Sequence, residues 1–364
     1  MDGQRGNRPS QIIVGMFAIL NNLLNTTRCG ELLNSEMNTY SLIIHKSLNS
    51  VIMSLTRGQS AWVKSPSETQ RSAFSSGCVL SDSANFSSWL VGVMDGDGTF
   101  YFTETNKGMW SFSFQISQST YNLRLLYFIK SKLKIGFVTI DSKNSMAVYR
   151  VRNKKHILKY IIPIFDAHLL LTSKHFKYNL FKEAILISNN SMLSVEEKNL
   201  LISNLKFKSK KLPKNYVSPA WSVTLNSLSC KEDAIKVVNK SWLIGFTESE
   251  GSFYLVEKSP TRLVHAFEIT QKLDFIVLKA IALIFDLTVT KKQTYSTVVT
   301  TNQKSIKIIA NYFFKNMKGM KSLEYRIWER SFNKRKKGFE YLSNIRDLMR
   351  KIKSIRFDKN HKKI

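Results

Sequence analysis

Two carboxylates carry the chemistry that can be read in this chain. Asp97 closes the run Ser88-Trp-Leu-Val-Gly-Val-Met-Asp-Gly-Asp-Gly-Thr-Phe100, and Glu250 closes Ser241-Trp-Leu-Ile-Gly-Phe-Thr-Glu-Ser-Glu-Gly-Ser-Phe253. The two acids stand 153 positions apart, each followed by glycine. Two acids brought to one junction repel each other and lose solvation. A hard divalent cation resolves that conflict, and with phosphate oxygens nearby the fitting ion is Mg²⁺ or another divalent cation. The chemistry this predicts is that of a metal-dependent site at the junction, with activated water. Asp95 and Glu248 lie two residues earlier, about 200° around a helix from those acids, and are expected to cap or pair structurally.

The elements that position the acids recur as well. Phe114-Gln-Ile-Ser-Gln118 returns as Phe267-Glu-Ile-Thr-Gln271 at the same offset of 153, and Leu170-Leu-Thr-Ser-Lys174 falls where Lys318-Gly-Met-Lys321 falls, at an offset of 147. A repeat this long suits two copies of one domain rather than a solenoid. Gly92 and Gly96 lie four apart on one helix face, and Gly245 and Ser249 repeat that spacing, so two helices can approach backbone to backbone.

These motifs resemble those of the LAGLIDADG homing endonucleases, in the branch that carries both motifs on one chain. The resemblance covers residue 85 to the 340s. Thr247 and Glu248 depart from the ideal motif and leave its acid-glycine ending intact. The resemblance implies a site-specific double-strand DNA endonuclease of group I intron homing, with Asp97 and Glu250 as metal ligands. It implies that Gln118 and Gln271 order water around the metals and that Lys174 and Lys321 lie near the scissile phosphates. Because the family includes splicing cofactors, an intron RNA maturase is the alternative, alone or in the same chain.

The charge agrees with a polyanionic partner. The chain of 364 residues carries a net +29, and residues 1–84 hold seven Lys or Arg against five Asp or Glu, so nearly all the excess lies in residues 85–364. Each phosphate neutralised by such a surface adds affinity through counterion release, which favours double-stranded DNA, with intron RNA as second candidate. No apolar run approaches a membrane span, so no membrane partner is expected. Cys29, Cys78 and Cys230 have no metal-ligand spacing and fit a reducing compartment. Abundant Lys, Asn, Ile, Phe and Ser fit AT-rich organellar coding, in a mitochondrion or, alternatively, a chloroplast.

The expected fold is α+β, two pseudo-symmetric αββαββα halves with the motif helices packed at their interface and the sheets forming a saddle for DNA. Residues 1–84 read as a leader, 85–188 as the first half, 189–240 as a linker, 241–345 as the second half and 346–364 as a basic tail. Ser87 or Ser88 is the expected N-cap of the first motif helix. A hairpin turn is expected between Asn106 and Gly108. Strand alternation gives the base-reading candidates Tyr101, Thr103, Thr105, Ser111, Ser113, Gln115 and Ser117, with Arg150, in the first half. The second half contributes Tyr254, Val256, Lys258, Glu268 and Thr270. Since the two surfaces differ, a single monomer should read a long, non-palindromic target.

Overall fold

A computed structural model describes residues 76–105, 109–335 and 337–354. The expected leader, apart from residues 76–84, lies outside the described residues, as do the Asn106–Gly108 turn and residues 355–364. Helix α1 (Ser76–Asp97) leads into β1 (Gly98–Glu104) and β2 (Trp110–Ser119), followed by α2 (Leu123–Leu133), β3 (Phe137–Asp141) and β4 (Met146–Val151). A helical stretch at 154–167, with a π turn at Ile157–Ile161, precedes α3 (Lys174–Asn189). The second half repeats the order as α6 (Lys240–Glu250), β5 (Gly251–Ser259), β6 (Arg262–Gln271), α7 (Phe275–Phe285), β7 (Val289–Lys291), β8 (Ser296–Thr300), α8 (Gln303–Phe313) and α9 (Lys321–Asn333).

Each half is one antiparallel sheet, ordered β1-β2-β4-β3 and β5-β6-β8-β7. The registers repeat too: Phe100 pairs with Phe114, and Phe253 pairs with Phe267. The inward residues of each sheet build an aromatic core beneath the helices. Phe100 packs on Phe114, Phe165, Tyr178 and Phe181. Phe253 packs on Phe267, Phe313, Tyr325 and Trp328. The α+β, two-half architecture follows the expectation.

Three boundaries differ from it. Helix α1 starts at Ser76, so neither Ser87 nor Ser88 is its N-cap. Ser88 is buried, and its hydroxyl donates to Asn239 Oδ1 at 2.8 Å, across the seam between the halves. Asn239 is itself the N-cap of α6, accepting from Trp242 N. The linker 189–240 holds, as α4 (Val195–Lys208) with a Ser194–Glu197 capping box, the helix its sequence places near Val195–Phe207, and it adds the unexpected α5 (Lys231–Val237). The basic tail expected from residue 346 begins inside α10 (Phe339–Ser354), which buries Leu342, Ile345 and Met349 at helical spacing. Arg346 pairs with Glu257 at 3.1 Å, and Lys353 with Glu324 at 3.0 Å, tying α10 to the second half. No helix among the described residues is long and apolar enough to cross a membrane.

Candidate active site and nucleic-acid interface

The motif helices are apolar on nearly every side because both are central. Every residue from Trp89 to Met94 of α1, and from Trp242 to Glu248 of α6, is buried. A Cβ on Gly92 would lie 2.1 Å from the Trp242 carbonyl oxygen, and one on Gly245 would lie 2.0 Å from that of Trp89. Only glycine permits so close a crossing. One turn later a Cβ on Gly96 would meet Ser249 Cβ at 2.2 Å and Glu250 Cγ at 3.2 Å. The seam therefore brings the C-terminal ends of both helices, with Asp97 and Glu250, to one place.

Electrostatics records that proximity. Burial raises the carboxyl pKa of Glu250 above its ordinary value and the charge of Asp97 adds to the rise, while Lys174, Gln271 and Lys321 pull it back. Gln118 Nε2 donates to Asp97 Oδ2, and Gln118 Oε1 accepts from Asn122 Nδ2 at 3.0 Å. Lys174 Nζ donates to the carbonyls of Gly96 and, at 3.3 Å, of Met94. Lys321 Nζ donates to the Gly251 carbonyl. Burial holds both ammonium groups below the usual lysine value. For Lys174 this is opposed by Asp95, Asp97, Glu250 and Asp274; for Lys321 chiefly by Glu324 and Glu248. All six expected site residues thus lie around one junction.

The set fits a divalent cation. Among the described residues no group of three or more His, Cys, Asp or Glu side chains could hold a metal. Two acids crowded at the seam supply hard oxygens but leave the coordination shell to be completed by other oxygens. A phosphodiester provides them, so the donor set suits a metal bound together with nucleic acid.

Asp95 and Glu248 play the structural part expected of them. Asp95 is buried and accepts from Leu171 N at 2.9 Å, Thr172 N at 3.1 Å, Thr172 Oγ1 at 2.5 Å and Trp242 Nε1 at 2.8 Å. Desolvation pushes its pKa up to about 6 against these bonds. Glu248 accepts from Lys318 N and, at 3.1 Å, from Gly319 N. Each of these carboxylates therefore grips the turn that leads into the lysine of its own half.

The sheet faces are polar and partly exposed at most of the expected positions. Tyr101, Thr105 and Lys258 are exposed; Thr103, Ser111, Gln115, Ser117, Arg150, Tyr254, Val256, Glu268 and Thr270 are half-buried. Ser113 alone among these positions is buried, opposite Tyr101 in the ladder, and accepts from Gln115 Nε2 at 3.0 Å. Gln115 also accepts from Arg150 at 3.3 Å. In the second half Glu268 accepts from Tyr254 at 2.9 Å, Thr297 at 3.0 Å and Thr270 at 3.3 Å.

Sequence reasoning passed over Asn122, Asp274 and Lys206. Lys206, on α4, sits 4.4 Å from the Tyr101 ring centroid and donates to the Phe102 carbonyl at 2.5 Å. It lies on the helix that the sequence places near Val195–Phe207, within the segment read as joining the halves. Asn122 and Asp274 stand at N-cap positions, a signal that was available.

Comparison with known proteins agrees with this geometry. The family model described as "LAGLIDADG endonuclease" matches residues 90–185 and 243–332. The "Probable intron-encoded endonuclease Cox1-I1b" of Schizosaccharomyces pombe is 40% identical over 283 residues, spanning 74% of this chain and 70% of that protein. The "Uncharacterized mitochondrial protein RF1" of Saccharomyces cerevisiae is 30% identical over 199 residues, 54% of this chain but only 38% of that protein. The solved structure of "I-SmaMI bound to uncleaved DNA target in the presence of Calcium ions" shares the fold with a TM-score of 0.58 at 21% identity, over 72% of this chain and 97% of that one.

Proposed function

Since this chain belongs to the LAGLIDADG endonuclease family, we propose that it is a monomeric, site-specific DNA endonuclease of intron homing that cuts both strands of a long, non-palindromic target. The observation that carries the reading is the meeting of Asp97 and Glu250 at a glycine seam, where burial and the charge of Asp97 raise the cost of ionising Glu250. Mg²⁺ held by Asp97 and Glu250 together with phosphate oxygens would activate water and neutralise the leaving oxygen. Gln118 orients the Asp97 carboxylate, and Gln271 does the same for Glu250. Lys174 and Lys321 present cations at the same junction, where charge develops on the phosphate being cut. The outward sheet residues, from Tyr101 and Gln115 on one side to Lys258 and Glu268 on the other, read bases, while the surrounding lysines hold the backbone. The relative named as mitochondrial and the AT-type composition support a mitochondrial location and organelle encoding.

The test is cleavage of a duplex spanning the uninterrupted insertion site. Asp97→Asn and Glu250→Gln should each lower the cleavage rate by roughly a thousandfold or more, several kcal/mol of barrier. Binding, carried by the basic surface, should persist and weaken steeply with salt. Metal-dependent cleavage at the parental rate by the doubly substituted chain would overturn the site. Intact DNA together with faster splicing of the intron RNA would instead favour a maturase.

A further inference from the structure

Asn122 and Asp274 occupy matching places, the N-cap positions of α2 and α7, each three residues past the end of the second strand of its half. An N-cap side chain ordinarily accepts from the first turn of its own helix. Neither of these does. Asp274 Oδ1 accepts instead from Ser173 N at 2.6 Å and Asp274 Oδ2 from Ser173 Oγ at 3.0 Å. Asn122 Oδ1 accepts from Met320 N at 2.8 Å.

Ser173 and Met320 are the residues before Lys174 and Lys321, at the starts of α3 and α9. The free N–H groups of a helix start need acceptors. In this molecule each lysine-bearing helix finds one on the opposite half. The exchange is reciprocal, and its two instances join residues 101 and 198 positions apart in sequence. Asp274 holds its place in a left-handed backbone conformation, φ 46° and ψ 45°, which is costly for a residue with a side chain and tolerated best by Asn and Asp.

We propose that Asp274 and Asn122 are positioning residues, each setting the lysine of the other half, so that the two strand cuts share one framework. The proposal rests on the roles given above to Lys174 and Lys321. Each lysine turn is then gripped twice, by the buried motif carboxylate of its own half and by the N-cap residue of the other. On one side the grip continues to the acid: Met320 N to Asn122, Asn122 to Gln118, Gln118 to Asp97. Because Asn122 touches two partners, Asp274 is the cleaner residue to test.

The experiment uses the full chain and a target duplex whose strands carry different labels, with single-turnover nicking rates for each strand and binding measured separately. Lys174→Met identifies the strand that depends on Lys174. Asp274→Ala should slow that same strand by about tenfold to a hundredfold, as expected for a misplaced catalytic group, with binding unchanged. Asp274→Asn, which keeps an acceptor for Ser173 N, should recover most of the lost rate. If Asp274→Ala does not fold, Asp274→Ser, too short to span to Ser173, takes its place with the same expectation. Parental nicking by the Asp274 variants beside a slow Lys174→Met would overturn the proposal alone. Equal slowing of both strands, or a loss confined to binding, would do so too, since it marks a merely structural role. Parental nicking by Lys174→Met would overturn the lysine's role and the proposal with it.

Discussion

In the first half the buried carboxylate of Asp95 collects four donors, whereas its counterpart Glu248 collects two, both on one oxygen. The difference reaches across the seam. Trp242 of the second half donates to Asp95, but the mirrored pair is not made: among the described residues Trp89 Nε1 and Glu248 Oε2 have no hydrogen-bond partner. Trp89 packs instead against Phe86 and Phe128, with ring centroids 5.9 and 5.3 Å away. The extra methylene of glutamate carries one carboxylate oxygen toward Gly319, where an added Cβ would lie 3.1 Å from it. Two copies of one framework have thus kept the backbone crossing while their buried polar bonds diverged. The sheet faces proposed to read bases diverge likewise, with a Gln115–Arg150 pair on one sheet and Glu268 among hydroxyls on the other.

The sharpest way to break this comparison is to remove both buried carboxylates in turn. Asp95→Ala should cost about 4 kcal/mol, because it strands several buried donors, while Glu248→Ala should cost about half as much. Urea unfolding of the two variants measures both, and equal losses would mean that the asymmetry is without energetic weight.

A second test uses pH. Burial, helped by the Lys337 charge, lowers the pKa of His265 to about 4, while the first-half residue at the same place is the apolar Phe112. In the unfolded chain histidine takes up its proton near 6.5. The stability owed to a neutral His265 is therefore complete above pH 6.5 and lost as pH falls toward 4. The loss should reach at most about 3 kcal/mol. Melting curves across that window should flatten in His265→Phe; an unchanged slope would assign the acid sensitivity elsewhere.

The smallest effect separates the two tryptophans. Trp242→Phe removes a donor to a buried carboxylate and should cost about 2 kcal/mol, whereas Trp89→Phe removes a group without a partner and should be close to neutral. The same unfolding measurement decides it, with equal losses counting against the asymmetry.

Much of this arrangement was legible because it is local. The tryptophan-leucine helices, their glycine spacing, the acid ends and the alternating strands all lie within runs of a dozen residues, and the repeat exposed each one twice. The lysines were legible only through that repeat, since among so many basic residues composition marks none of them. What escaped depends on distant partners. Nothing near Asp274 announces Ser173, 101 residues away, and the slip in offset from 153 to 147 hides the correspondence. Helix α10 escaped for another reason: its Lys and Arg content masked Leu342, Ile345 and Met349, whose spacing marks a buried face. Ser113 obeyed its alternation, and its burial depends on neighbours the alternation does not weigh.

The reciprocal contact of Gly92 with Trp242 and of Gly245 with Trp89 has the properties of a gauge block. Main chain meets main chain there, and main chain has no rotamers to adjust. The gap between the two acids is consequently a manufactured length rather than a negotiated one. Residues on the sheets, where the proposed base reading lies, can wear and be replaced without resetting that length. A protein of this build can change its address far more readily than the distance between its two cuts.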